Sequence, residues 1–220
     1  MFLTNNSSAT VSDYVDKLAR HGIEAPPEDI CSSAQAAAQW CGEHLPASAR
    51  IFVCAGPGVV EAFGAAGFDV VDRPPAAAVV VGVTRAFNFE LLATSADLIR
   101  GGARFVATNA DPTYPIPGGF LPGAGSLVAA VSAAAGQTPI VCGKPELPTV
   151  ALVRARFGNV GIMVGDRPST DGALADALGW PFALVLSGVA GAPGEEAIPD
   201  PPPPYVAADL AALVPMLLGG

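Results

Sequence analysis

The feature that most constrains the fold is a recurring unit: a short apolar run, a turn of glycine or small polar residues, then a helix-like segment. Residues 51–54 run into Gly56-Pro57-Gly58 and a helix ending near Gly67. Residues 78–83, 105–108 and 140–142 are further apolar, often β-branched runs, as strands covered by other elements are. The last clear unit is 162–165, ending in Gly165, with Asp166 directly after it and an Ala-rich segment, 172–178, beyond. Strands that alternate with helices imply an α/β protein with a mainly parallel sheet. Open sheets of this kind hold ligands at the carboxyl ends of their strands, where Asp166 would stand.

Composition agrees with a large buried core: 51% of the 220 residues are hydrophobic and 14% charged. That length suits one large domain or two small ones. No run approaches the roughly 18 apolar residues of a membrane span. The start, Met-Phe-Leu-Thr-Asn-Asn-Ser-Ser, lacks the basic and apolar regions of a signal peptide, so a cytoplasmic location is expected. A net charge of −9, from 11 basic and 20 acidic side chains, argues against nucleic acid as a partner. Cys31, Cys41, Cys54 and Cys142 have no zinc-site spacing and read as reduced, mostly buried thiols. Neither His21 nor His44 lies near a nucleophile-elbow sequence, which sets aside a Ser-His-Asp hydrolase.

Along the chain, Phe2 and Leu3 end a strand that breaks at Thr4-Asn5-Asn6-Ser7-Ser8. Ser12 is placed to cap a helix over 13–21, stopped by Gly22, and Ser32 or Ser33 to cap a second through about His44. Residues 69–71 and 182–186 read as strands, and 88–100, 126–135 and about 148–157 as helices. Prolines 112, 115, 117 and 122, with glycines 118, 119, 123 and 125, exclude a helix or central strand from 111–125. A long stiffened loop inside a domain is usually functional. Residues 200–204 are too proline-rich for regular structure, and 206–218 closes the chain with a short strand or a helix.

Four groups of residues could carry chemistry. Gly56-Pro57-Gly58 resembles a dinucleotide-binding turn, but the third glycine is missing and a tight strand-to-helix turn explains it better. Lys144, just after an apolar strand, could bind a phosphoryl oxygen or hold two carboxylates together. Thr4, Asn5, Asn6, Ser7 and Ser8 can donate to an anion, or can simply form a turn. Asp166 and Asp171 after one strand suit a hard cation such as Mg²⁺, although Asp171 also stands where an acid complements a helix dipole. In a doubly wound sheet the last three groups would meet at one edge, as parts for phosphoryl transfer.

On these residues the chain resembles the haloacid dehalogenase superfamily phosphatases, in the p-nitrophenylphosphatase or NagD-like branch. Phe-Leu-Thr-Asn-Asn-Ser-Ser at 2–8 matches the second motif, Gly143-Lys144-Pro145 the third, and Gly165-Asp166 through Asp171 the fourth. Ser33-Ala34-Gln35, Phe105 through Pro112, Leu121 through Ser126, and Leu186-Ser187-Gly188-Val189 match further segments. The resemblance implies a doubly wound core of 1–49 and 142–220 and an inserted α/β cap over 50–141. It implies a Mg²⁺-dependent phosphatase acting on a small phosphorylated metabolite through an aspartyl-phosphate, and it allows a homodimer paired through the cap. Thr4 would hydrogen-bond a phosphoryl oxygen, and Lys144 would bridge phosphate and nucleophile. Asp166 would bind Mg²⁺, supported by Asp171. Asn5, Asn6 and Ser7 would lie near the substrate, and Tyr114 would belong to the cap's specificity loop.

One departure stands out. The family attacks phosphate with the first Asp of an Asp-x-Asp motif ahead of the segment matched by Thr4, and none occurs anywhere in the 220 residues. In the family the strand bearing that motif lies mid-sheet. Its large side chains would each contribute roughly 1.5–3 kcal/mol, against a total stability of about 5–15 kcal/mol. The expectation is therefore an N-terminally shortened phosphatase, inactive toward p-nitrophenyl phosphate as it stands. The alternative is an inactive relative that binds a phosphorylated ligand without cleaving it.

Overall fold

A computed structural model describes residues 1–116, 118–190 and 196–219. The chain divides into two compact units, Met1–Gly143 and Lys144–Gly220. The boundary falls inside Gly143-Lys144-Pro145.

In the first unit, β1 (Phe2–Thr4) pairs parallel with β2 (Ile30–Ser32), Thr4 opposite Ser32. Between them runs α1 (Val11–Ala19), whose cap is Thr10 rather than the expected Ser12. Thr10 and Asp13 each bond the other's backbone amide, a reciprocal arrangement that satisfies two otherwise orphaned donors. The sequence reading missed β2, whose three residues are too few to show a periodicity. Its last residue, Ser32, caps α2 (Ser33–His44), with Gln35 closing the same kind of box.

The rest of this unit is a five-stranded sheet, all parallel, in the order β4-β3-β5-β6-β9. Its strands are β3 (Arg50–Cys54), β4 (Asp69–Val71), β5 (Ala78–Val81), β6 (Arg104–Ala107) and β9 (Ile140–Val141). The helices between them are α3 (Pro57–Ala65), α4 (Phe89–Arg100) and α5 (Ala124–Ala135). Phe52, Cys54, Val79, Val81, Phe105 and Ala107 point to one face, where Ala96 and Ile99 of α4 and Val128 and Val131 of α5 cover them. Val80 and Val106 alternate to the other face and are equally buried. Covered on both sides, β5 has no exposed side chain, which is why it reads as an unbroken apolar run.

Residues 111–125 are not wholly irregular. They hold an antiparallel hairpin of β7 (Thr113–Ile116) and β8 (Gly119–Pro122), and α5 starts at Ala124. The prolines are tolerated because the hairpin joins no larger sheet, so a strand lacking an N–H disrupts no central ladder. Pro117, between the two strands, lies outside the described residues.

The second unit is a parallel three-stranded sheet, β10 (Met163–Gly165), β11 (Phe182–Val185) and β12 (Tyr205–Ala207). Its helices are α6 (Leu147–Phe157), α7 (Ala173–Leu178) and α8 (Leu210–Leu218), so the chain's end supplies both the strand and the helix that the sequence left as alternatives. Leu213 of α8 packs with Ala183 and Ala207 of the sheet. The fold is thus α/β and mainly parallel. Among the described residues, β1 pairs only with β2 and β10 only with β11, and no helix is long and apolar enough to cross a membrane.

Candidate active site

In the second unit, β10 delivers Gly165 and Asp166 to its carboxyl end. A wide helical turn, Pro168–Gly172, follows and carries Asp171 back toward the strand. The Lys144 Nζ donates to Asp171 Oδ1 at 2.6 Å, with only 11% and 6% of the two side chains exposed. Asp171 Oδ2 accepts the Arg167 amide at 3.2 Å. Asp166 Oδ2 accepts the Val189 amide at 2.8 Å, and its carbonyl accepts the Ala190 amide. Glu196 pins the turn from outside, taking the amide and hydroxyl of Ser169 at 2.8 and 2.5 Å and lying 3.6 Å from Arg167 Nε.

Two glycines make room for these carboxylates. A Cβ on Gly165 would lie 2.3 Å from Asp171 Oδ2, and one on Gly188 1.9 Å from Asp166 Oδ2. Both distances are far inside van der Waals contact, so a side chain at either position would displace an acid. Gly188 belongs to the Leu-Ser-Gly-Val segment that follows β11. Among the described residues, no three His, Cys, Asp or Glu side chains gather as a metal cage.

The Thr4 to Ser7 residues lie in the first unit, where β1 feeds them onto the carboxyl end of the five-stranded sheet. Thr4 Oγ1 accepts the Asn6 amide at 3.1 Å. Asn6 is exposed, and its Oδ1 accepts the Ser8 amide and hydroxyl at 3.0 and 2.7 Å. Asn5 Nδ2 donates to Asp111 Oδ2 at 3.1 Å. Ser7 is fully buried and its hydroxyl donates to Thr108 at 2.8 Å. Tyr14 of α1 donates its hydroxyl to the Asn6 carbonyl at 2.7 Å. Burial pushes the Tyr14 phenol up, and a hydrogen bond with Thr4 opposes this in part. Tyr114 is half-buried in β7, opposite Leu121.

Gly56-Pro57-Gly58 turns out to serve this loop. Cβ atoms on Gly56 and Gly58 would lie 2.8 Å from Ser8 Cα and 2.0 Å from the Ala9 carbonyl. The Gly58 amide donates to the Ser8 carbonyl at 3.1 Å. The space that a pyrophosphate would need in a dinucleotide turn is filled by the protein's own backbone, so that reading is set aside.

Comparison with known proteins agrees with the motifs. A model described as haloacid dehalogenase-like hydrolase matches residues 1–69, and one described as HAD-hydrolase-like matches 141–213. The dihydroxyacetone phosphatase of Corynebacterium glutamicum is 37% identical over 195 residues, covering 86% of this chain and 69% of that protein. This chain belongs to the haloacid dehalogenase-like hydrolases. The D-glycerol 3-phosphate phosphatase of Mycobacterium tuberculosis is 39% identical over 220 residues, covering 97% of this chain. The chain spans 62% of that relative's length. A crystal structure of glycerol phosphate phosphatase from the same organism, in complex with magnesium, superposes with a TM-score of 0.87 at 37% identity, covering 97% of this chain and 66% of that one.

Within this haloacid dehalogenase-like frame, Lys144 is paired with Asp171 on the turn that follows Asp166 in the second unit, and Thr4, Asn5, Asn6 and Ser7 form one loop of the first. Tyr114 stands apart in the hairpin. Sequence reasoning assigned no role to Tyr14, Thr108, Asn109 or Asp111, all of which hold that loop or a residue next to it. A signal was present: Thr108-Asn109-Ala110-Asp111 is a polar stretch directly after a buried strand.

Proposed function

We propose that the chain is the greater part of a Mg²⁺-dependent phosphatase for a small phosphorylated metabolite such as glycerol phosphate. The grouping of 1–49 with 142–220 as a core, with 50–141 as cap, belongs to this proposal. The observation that carries the reading is the buried Lys144 ammonium, 2.6 Å from Asp171 on the turn that follows Asp166. A buried cation fixed against a carboxylate is costly as mere structure, and it is what phosphoryl transfer uses to offset oxygen charge.

The donor set fits magnesium, which is usually held by one or two carboxylates, with water and phosphate oxygens completing its shell. Both oxygens of Asp171 accept protein donors, from Lys144 and from the Arg167 amide. Asp166 is therefore the residue that would hold the ion, with Asp171 fixing Lys144 and the turn. When bound, the ion polarises the phosphoryl group and screens its charge. In the second unit Lys144 would present its ammonium to a phosphoryl oxygen. In the first, the family resemblance gives the Thr4 hydroxyl the role of a phosphoryl donor. Asn6 would offer an exposed carboxamide near the leaving group, and the resemblance assigns Tyr114 to the loop that sets substrate specificity. The aspartate nucleophile and the acid–base aspartate that the resemblance calls for are not among the 220 residues, which supports a second reading of these residues alone: a binder of phosphate esters that does not cleave them.

The test compares the 220-residue chain with the same chain extended at its N-terminus by an apolar strand ending in Asp-x-Asp-Gly. The extended protein releases phosphate from glycerol 3-phosphate and p-nitrophenyl phosphate with Mg²⁺. It loses roughly 10²-fold or more in kcat on Lys144→Ala, a loss typical of removing one electrostatic donor. A folded but inactive extended protein overturns the phosphatase reading. Turnover by the unextended chain that disappears in Asp166→Ala overturns the assignment of the nucleophile.

A further inference from the structure

The residues of the 4–8 loop alternate in where they are held. Asn5 and Ser7 bind to a single turn, 108–111, which follows β6, whereas the hydrogen bonds described above for the Thr4 and Asn6 side chains and the Asn6 carbonyl go to their own loop and to Tyr14 of α1. The Asn5 carbonyl accepts two short bonds, from Asn109 Nδ2 and from Ser33 Oγ, each at 2.7 Å. The Asn5 side chain donates to Asp111, and Ser7 to Thr108. Ser7, Thr108 and Asn109 are 0%, 0% and 4% exposed, so water cannot replace these bonds. The fit is tight on the backbone side as well. A Cβ on Gly82 would lie 2.9 Å from both the Ser7 and Thr108 hydroxyls, and one on Gly143 2.6 Å from the Thr108 carbonyl and 2.8 Å from Asn5 Oδ1.

The turn is itself fixed. Asn109 Oδ1 accepts the Asp111 amide at 3.1 Å, and the Asp111 carbonyl accepts the Gly125 amide of α5 at 2.9 Å. Pro112, the next residue, accepts the Gly123 amide and the Ser126 hydroxyl. One short segment therefore anchors the loop, the root of the β7–β8 hairpin and the start of α5.

We propose that Asn109 and Asp111 are positioning residues: they hold Asn5, and through it set where the Thr4 hydroxyl and the Asn6 carboxamide point. Asn5 and Ser7 are then the loop's anchors, and Thr4 and Asn6 the residues it presents. The importance of that placement rests on the phosphatase reading, because an error of about 1 Å in a catalytic donor can cost on the order of 10²-fold in rate.

Two experiments separate this inference from the reading beneath it. The first is amide hydrogen exchange on the 220-residue chain. Asp111→Ala and the isosteric Asn109→Asp, which turns a donor into a second acceptor facing the Asn5 carbonyl, speed exchange at Asn6 and Ser8 about tenfold, the worth of one or two hydrogen bonds. Amides of β5 and β6 change less than twofold. Asp111→Asn keeps an acceptor oxygen and restores slow exchange. Unchanged loop exchange in Asn109→Asp overturns the proposal, and so does acceleration spread equally over β5 and β6. The second is turnover in the extended protein, where Asp111→Ala lowers kcat at least tenfold with KM within about twofold, and Asp111→Asn recovers most of it. A wild-type extended protein without turnover refutes the phosphatase reading and leaves the exchange result to decide the clamp. Equal kcat in wild type and Asp111→Ala overturns the clamp's catalytic meaning.

Discussion

At the scale of single residues, the site depends on absent side chains as much as on present ones. Gly188→Ala puts a methyl group 1.9 Å from the present position of Asp166 Oδ2, so the carboxylate must swing away. The expected outcome is a protein of near-normal stability that has lost Mg²⁺-dependent turnover in extended form, measured beside the Asp166→Ala variant. Breaking the Lys144 and Asp171 pair acts differently. Removing one partner strands a buried charge, which typically costs about 3–5 kcal/mol. Asp171→Ala should lower the urea midpoint accordingly, and Lys144→Met combined with Asp171→Leu should recover a good part of the loss. The acids and the lysine were legible in the sequence because each follows a strand. The roles of Gly188, Asn109 and Asp111 were not, since each depends on a contact with a residue more than twenty positions away. Gly56-Pro57-Gly58 shows the same limit in reverse, its local pattern fitting two structures until the partner backbone is known.

At the scale of elements, capping and breaker signals competed with one another. Ser12 is a reasonable cap by residue type, but Thr10 wins because Asp13 stands three residues later and completes the reciprocal bonds. Thr10→Ala should therefore cost about 1 kcal/mol in urea unfolding, as loss of a helix cap usually does, while Ser12→Ala should be nearly neutral. Comparable losses from the two variants would contradict this assignment. The hairpin of β7 and β8 was hidden by its prolines, which forbid a central strand and say nothing against an isolated ribbon. β2 was hidden by brevity. The strands buried on both faces were the most legible elements, because their apolar runs arise from the same burial that makes them central.

At the scale of the whole molecule, alternation of strand and helix was enough to give a parallel α/β fold. The sequence offers no comparable signal for where compact units divide, since the boundary at Gly143 and Lys144 falls inside a motif rather than in a polar linker. The thiols make a further property of the whole molecule predictable. All four cysteines are buried. Burial pushes Cys41 up to about 12 and Cys54 up to about 11, from an ordinary value of 9.0. In the unfolded chain both thiols ionise near their ordinary value, while the folded protein keeps them protonated. Their contribution is thus fully present below about pH 9 and is lost as pH rises through the folded values. Each group changes stability by up to about 1.4 kcal/mol per pH unit in that window. Urea unfolding should show a stability loss of roughly 2–4 kcal/mol between about pH 8.5 and pH 10.5. Cys41→Ala and Cys54→Ala, compared with wild type at each pH, should each flatten the slope, whatever their cost at neutral pH. The native protein should also resist a thiol reagent at pH 8 until it is unfolded. Parallel pH curves for wild type and both variants would show that these thiols already ionise in the folded state as freely as in the unfolded one.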